Sequence, residues 1–180
     1  MPSFSIDVDI DGLLSSVDAM QDRAEAAARP AAQAAAQVLY DAVRANVARI
    51  KKHTGNLDRS IYQAYSIDNS GPGRATYHIS WNAKKAPHGH LVEYGHMQRY
   101  VYYQDDAGNI RPMVRPGKEG TPKPKQRASQ AVKDAYYVPL EGGPRLVAAR
   151  PFIRPAVAKM NEAMDEAKRV ALDYILGKQP

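Results

Sequence analysis

The chain contains no cysteine. That excludes a disulfide framework, cysteine-ligated zinc and a cysteine nucleophile, and it suits a reducing compartment. Long apolar runs are also missing. No stretch approaches the ~20 consecutive apolar residues that a membrane-spanning helix requires. The opening "MPSFSIDVDIDG" has neither the basic n-region nor the apolar h-region of a secretory signal, so a soluble protein that stays where it is made is expected. There is no Gly-x-Ser-x-Gly elbow, no Walker-type phosphate loop and no dinucleotide fingerprint. Nothing in the chain demands an enzyme.

What is present is ordinary in bulk. The 180 residues are 44% hydrophobic and 24% charged, enough for one domain with a real core. The net charge of +6 permits an anionic partner. Tyrosine usage is skewed, with eleven tyrosines against two phenylalanines. Tyr100, Tyr102 and Tyr103 fall in one predicted strand, and tyrosine suits both half-wet contact surfaces and a sheet packed on two sides.

"FSIDVDI" alternates apolar and polar residues and reads as a half-buried strand. Asp11 then opens a long helix whose apolar stripe runs from Leu14 through Val17, Met20, Ala31, Leu39, Val43 and Val47 to Ile50. Alanine favours this helix, whereas Pro30 removes a hydrogen bond and is expected to kink or split it. The small face between residues 24 and 36 predicts close approach of another backbone, from its own sheet or a neighbouring subunit.

"HTGNLDRSI" predicts a break and a short helical turn. "YQAYSID" and "RATYHISW", joined through "NSGPG", predict a β-hairpin; "RYVYY" and "IRPMVR", joined through "DDAGN", predict a second, with Pro112 at an edge. "AYYVPL" is a candidate return strand. The last helix has Pro155 in its first turn and Gly177 at its stop, an apolar stripe of Val157, Met160, Met164, Ala167, Ala171 and Tyr174, and Asp165 and Arg169 spaced for an ion pair. The expected class is α+β: a long N-terminal helix and a C-terminal helix on an antiparallel sheet of about four to five strands, in a single domain over residues 1–180.

Two stretches invite chemistry. "APHGHLVEYGH" places His88, His90, Glu93 and His96 within nine positions, the ligand set a metal-dependent nuclease would use. Helical zinc motifs set two histidines four apart, and here the spacings are two and six, so a structural turn is the preferred reading. Residues 111–133 carry Arg111, Arg115, Lys118, Lys123, Lys125, Arg127 and Lys133 against the single acid Glu119. This Pro/Gly-containing segment is expected to be a mobile, solvated loop facing DNA or a partner, and a DNA-binding accessory protein is the alternative it supports.

Three phrases, in order, resemble one family. "TGNLDRSI" (54–61), "GHLVEYGH" (89–96) and "ARPFIRPAVAKM" (149–160) are similar to phrases of the tail-completion, or head–tail joining, proteins of long-tailed double-stranded DNA bacteriophages. That minor tail protein family counts the Z protein of phage lambda as a functional counterpart. His96 stands where the family commonly has threonine, and residues 108–133 are longer and more basic than its pattern.

The resemblance implies a non-enzymatic virion subunit without a cofactor or metal. It would be assembled in the host cytoplasm into a ring, plausibly a hexamer, at the tail top or neck. Its neighbours would be the tail terminator or tube protein and the head–tail connector, with DNA passing through the lumen and no membrane involved. The structural or interface residues it implies are Leu57, Ile61, Glu93, Tyr94, Gly95, Arg150, Pro151, Phe152, Arg154 and Pro155. Within that set, Gly95 is expected to cap a short helix, Tyr94 to anchor the turn from a buried position, Phe152 to anchor the core, and Arg150 and Arg154 to pair with acids.

Overall fold

The computed structural model describes residues 11–50 and 54–178. The predicted strand "FSIDVDI" lies outside them. The described residues are α+β and fall into two compact units, one containing residues 11–45, 61–80 and 155–178, the other residues 46–50, 54–60 and 81–154.

The first unit is built on α1 (Asp11–Ala48), a single helix of 38 residues that runs through Pro30 without being split. The alanines on either side supply enough helix propensity, and neighbouring packing enough burial, to offset the one backbone bond that proline removes. Ala27, Ala31, Ala36 and Val43 are buried. Within the unit, β1 (Ile61–Tyr65) and β2 (Tyr77–Trp81) form the predicted hairpin, and α1 touches it through Arg29 and Gln33. Tyr65 and Tyr77 pack edge to face with centroids 5.4 Å apart. The Arg29 guanidinium lies 4.5 Å from the Tyr65 ring centre, and the Tyr77 hydroxyl donates to Gln33 Oε1 at 3.2 Å.

A 3-10 turn (Arg154–Lys159) leads into α5 (Met160–Ile175), with Ala156 and Ala163 buried and Gly177 closing the end at φ 68°. A cleft of about 680 Å³ is lined by Ala34, Val38 and Asp41 of α1 and by Glu162, Glu166 and Arg169 of α5. The predicted Asp165–Arg169 pair is not formed. Arg169 instead holds Glu166 at 2.6 Å and Asp173 at 3.1 Å, while Lys168 lies 3.4 Å from Asp165. Of the predicted stripe, Val157, Met160 and Met164 are exposed, whereas Ala167, Ala171 and Tyr174 are half-buried.

The second unit begins with α2 (Asn56–Ser60), the predicted short turn, in which Leu57 and Ser60 are buried. Next come α3 (Gly89–Tyr94), β3 (His96–Gln98), β4 (Tyr102–Gln104), β5 (Ile110–Pro112), α4 (Gln130–Asp134) and β6 (Arg145–Val147). Among the described residues the strands are distributed over three two-stranded sheets, β1–β2, β3–β6 and β4–β5. The β4–β5 hairpin sets Tyr102 opposite Pro112 and Tyr103 opposite Arg111. A two-stranded sheet leaves Pro112 a free edge, which is where a residue without an N–H belongs. "AYYVPL" returns not as a strand but through isolated bridges, Val114 to Tyr137 and Tyr100 to Pro139. There the tyrosines form a cluster, Tyr100–Tyr137 at 5.2 Å and Tyr136–Tyr137 at 4.9 Å, while Tyr102 and Tyr103 stay exposed.

Pro30→Ala adds one backbone donor to an unbroken helix without overpacking its surroundings. It is expected to add up to about 3 kcal/mol of stability, read as a higher melting temperature in thermal unfolding followed by circular dichroism.

Candidate functional site

The stretch that holds the histidines is positioned from both ends. After β2, Asn82 Oδ1 accepts from Lys84 N at 2.9 Å and Lys85 N at 3.2 Å, and Asn82 O accepts from Ala86 N at 2.9 Å, which turns the chain. Ala86 is completely buried, and α3 starts three residues later at Gly89. Gly89 lies under the indole of Trp81: a Cβ there would sit 2.4 Å from Nε1. Only glycine fits. The other side of this packing is Phe152, whose ring meets Trp81 edge to face at 5.7 Å and which is 0% exposed.

Glu93, in the last turn of α3, is 1% exposed. An ionised carboxylate at that depth requires compensation, and it receives four charge-assisted hydrogen bonds. Glu93 Oε2 accepts from Phe152 N at 2.7 Å and Ile153 N at 3.0 Å; Oε1 accepts from Arg154 N and Arg154 Nε, both at 3.1 Å. Arg154 Nη2 also donates to the backbone carbonyl of Glu93 at 2.6 Å. The carboxylate thus acts as a cap, supplied from a distant part of the chain, for three consecutive amides entering the 3-10 turn. Burial pushes its pKa up, but the bonds from Phe152, Ile153 and Arg154 outweigh that, so the group ionises below the ordinary carboxylate range.

The surrounding backbone completes the clasp. Arg150 N donates to Val92 O at 2.8 Å, and Asn46 Nδ2 donates to Phe152 O at 3.0 Å. Strand β3 pairs with β6, His96 opposite Val147. Between them Gly95 caps α3 at φ 74°, and a Cβ on it would approach Val147 O to 2.7 Å and Ala149 N to 2.9 Å. Both the backbone conformation and the close approach demand glycine.

Of the residues singled out in the sequence, Glu93, Gly95, Arg150, Phe152 and Arg154 come together here. Leu57 and Ile61 are buried elsewhere, one in each unit, and Pro155 is exposed in the 3-10 turn. Pro151 is half-buried and Arg150 exposed. Tyr94 corrects the expectation: it is 66% exposed, with the Arg154 guanidinium 5.0 Å from its ring centre, and forms a surface pair above the buried carboxylate rather than a buried anchor. Gly89 and Trp81 carried no site expectation, although a glycine shortly after the only tryptophan was the available signal.

The histidines do not converge on Glu93. Both carboxylate oxygens are engaged by amides and arginine, His88 and His90 are exposed, and no group of three metal-ligating side chains is placed to hold an ion among the described residues. His88 titrates below the usual range, through partial burial and then repulsion from His90.

The basic segment is exposed along most of its length but is tied down at several points. Arg115 Nε donates to Asp134 O at 2.9 Å, Lys133 Nζ to Gln126 O at 2.7 Å, and the Tyr136 hydroxyl to Thr121 O at 2.9 Å. Arg111 is held by Asp105 at 2.6 Å. Lys118, Lys123, Lys125 and Arg127 are exposed.

Residues 11–95 match the model of a family described as "Bacteriophage HK97-gp10, putative tail-component". The matched region contains the first of the three phrases and all but the last residue of the second, ends at the Gly95 cap of α3, and does not reach the third at residues 149–160. No curated protein and no solved structure matches the chain.

Two substitutions test the clasp. Glu93→Gln keeps the shape but turns an acceptor toward a donor, and is expected to cost about 3 kcal/mol near neutral pH. Because folding lowers the pKa of Glu93, its stabilisation is present above the unfolded carboxylate value of about 4.3 and lost as pH falls through the folded value. Urea unfolding from pH 7 to pH 2 should therefore show the wild-type advantage shrinking under acid. Gly89→Ala forces a methyl into the indole and should cost about 2 kcal/mol, with a shifted emission from the single tryptophan as the local readout.

Proposed function

We propose that the protein is a non-catalytic structural subunit of a phage tail, forming a sixfold oligomeric ring at the tail top. The ring completes the tail and makes it competent to join a DNA-filled head. The observation that carries this reading is the tail-component match over residues 11–95. The clasp supports it, since Glu93 works as architecture rather than as a ligand or acid catalyst. So does the amount of apolar surface left on both terminal helices, including Leu14, Val17, Met160, Met164 and Leu172.

In this reading the whole chain acts as one tail-completion domain, assembled in the host cytoplasm and retained in the virion neck. The tail terminator or tube protein lies on one side of the ring and the head–tail connector on the other. DNA passes through the lumen. Pro151, Pro155 and Arg154 with Tyr94 shape the rigid entry to α5, and Leu57 and Ile61 hold α2 and β1 in place. No described helix is long and apolar enough to cross a membrane.

Electron microscopy of lysates from a phage with an early stop codon in this gene tests the assignment. DNA-filled heads beside separate tails are expected. Intact infectious particles would refute a joining role.

A further inference from the structure

The N-terminal third of α1 leaves its large apolar side chains uncovered by the described residues. From Gly12 to Ala26 every residue whose side chain is described is exposed, although Leu14, Val17 and Met20 are large and apolar, at 53%, 53% and 49% exposure. Helix α5 accounts for the gap. It lines the cleft against residues 34–41 of α1, and its end at Gly177 lies beside Arg23, whose Nη1 would be 3.9 Å from a Cβ there. The helical residues before Arg23 therefore form an arm of roughly 18 Å beyond that end.

The arm has two rows. Leu14, Val17 and Met20 make an apolar stripe; Asp18 and Asp22, one helical turn apart, make an acidic row beside it, and no base occurs before Arg23. The complementary chemistry is in the second unit. Residues 111–133 carry seven bases and one acid, and the exposed Met113 and Val132 lie among them.

We propose that the arm of one copy docks on the basic segment of the next, a heterologous contact of the kind that closes rings. Apolar burial of Leu14, Val17 and Met20 supplies the attraction, and the Asp18 and Asp22 carboxylates against Lys123, Lys125 and Arg127 set direction and register. The inference rests on the self-associating ring described above, and it assigns the basic segment to a subunit contact rather than to DNA.

The absence of cysteine makes the test clean. Full-length Met20→Cys and Met113→Cys variants are mixed in equal amounts and treated with a short bis-maleimide, alongside sedimentation of the untreated wild type. A link between the two variants is expected. Asp18→Lys with Asp22→Lys in the arm should suppress it about tenfold through like-charge contact, and Lys123→Glu with Lys125→Glu in the partner should restore it. An oligomer that yields no mixed link, or only links between two arm thiols, overturns the contact while leaving the ring reading intact. A monomer overturns it too: an arm thiol protected from maleimide means the chain covers its own arm, and a reactive one means nothing of this chain does. Salt-sensitive binding of duplex DNA to the segment, without any mixed link, would assign the segment to phosphate instead. The stop-codon lysate reads head–tail joining independently of every one of these outcomes.

Discussion

A single buried carboxylate organises the second unit. Glu93 brings a short helix, a glycine cap and the chain entering the 3-10 turn into one geometry, because each of its oxygens has two donors to satisfy and every donor has its acceptor. The arrangement is cooperative in a strict sense. Phe152 reaches its core position with its N–H on Glu93 and its C=O on Asn46, and its ring closes the packing of Trp81 on Gly89. Removing the carboxyl group would orphan three amides at once, and adding one methyl at Gly89 or Gly95 would displace the backbone or the indole.

A rigid clasp of this kind suits a protein that works by presenting surfaces. The first unit has small buried contacts, mostly alanine, between α1 and its neighbours, and leaves longer apolar side chains of both terminal helices outside. Such a distribution is wasteful for an isolated monomer and sensible for a subunit whose helices meet other copies or other tail proteins. The match to a phage tail component and the exposed arm of α1 are two independent reasons to read the surface as an assembly surface.

The basic segment joins these themes. Its composition alone fits a solvated loop, and most of its side chains are indeed exposed. Yet Arg115 bonds to Asp134 O and Tyr136 bonds to Thr121 O, tying the segment to the residues that follow it, while Lys133 braces it internally on Gln126 O, so its remaining cations are displayed from a defined platform rather than from a free tether. A defined platform is what an interface with register requires.

Much of this was legible in the residues. Periodicity and punctuation set the two long helices, both hairpins and the α2 turn, because those depend on local propensity and on glycine and proline constraints that act within a few positions. The family resemblance singled out "LVEYG" and "RPFIRP" as phrases, and the fold joins them through Glu93. What local rules could not supply was which distant groups meet. The Arg169 partners were misassigned because three acids lie within reach on one helix and rotamers decide among them. Tyr94 was expected inside because tyrosine tolerates burial, whereas the Glu93 cap takes the inward position and leaves the ring to Arg154. Pro30 did not divide its helix, since packing over 38 residues outweighs one missing donor. The pairing of Glu93 with amides some sixty residues away came from tertiary packing alone, because burial decides whether a carboxylate must find four donors or can stay in water.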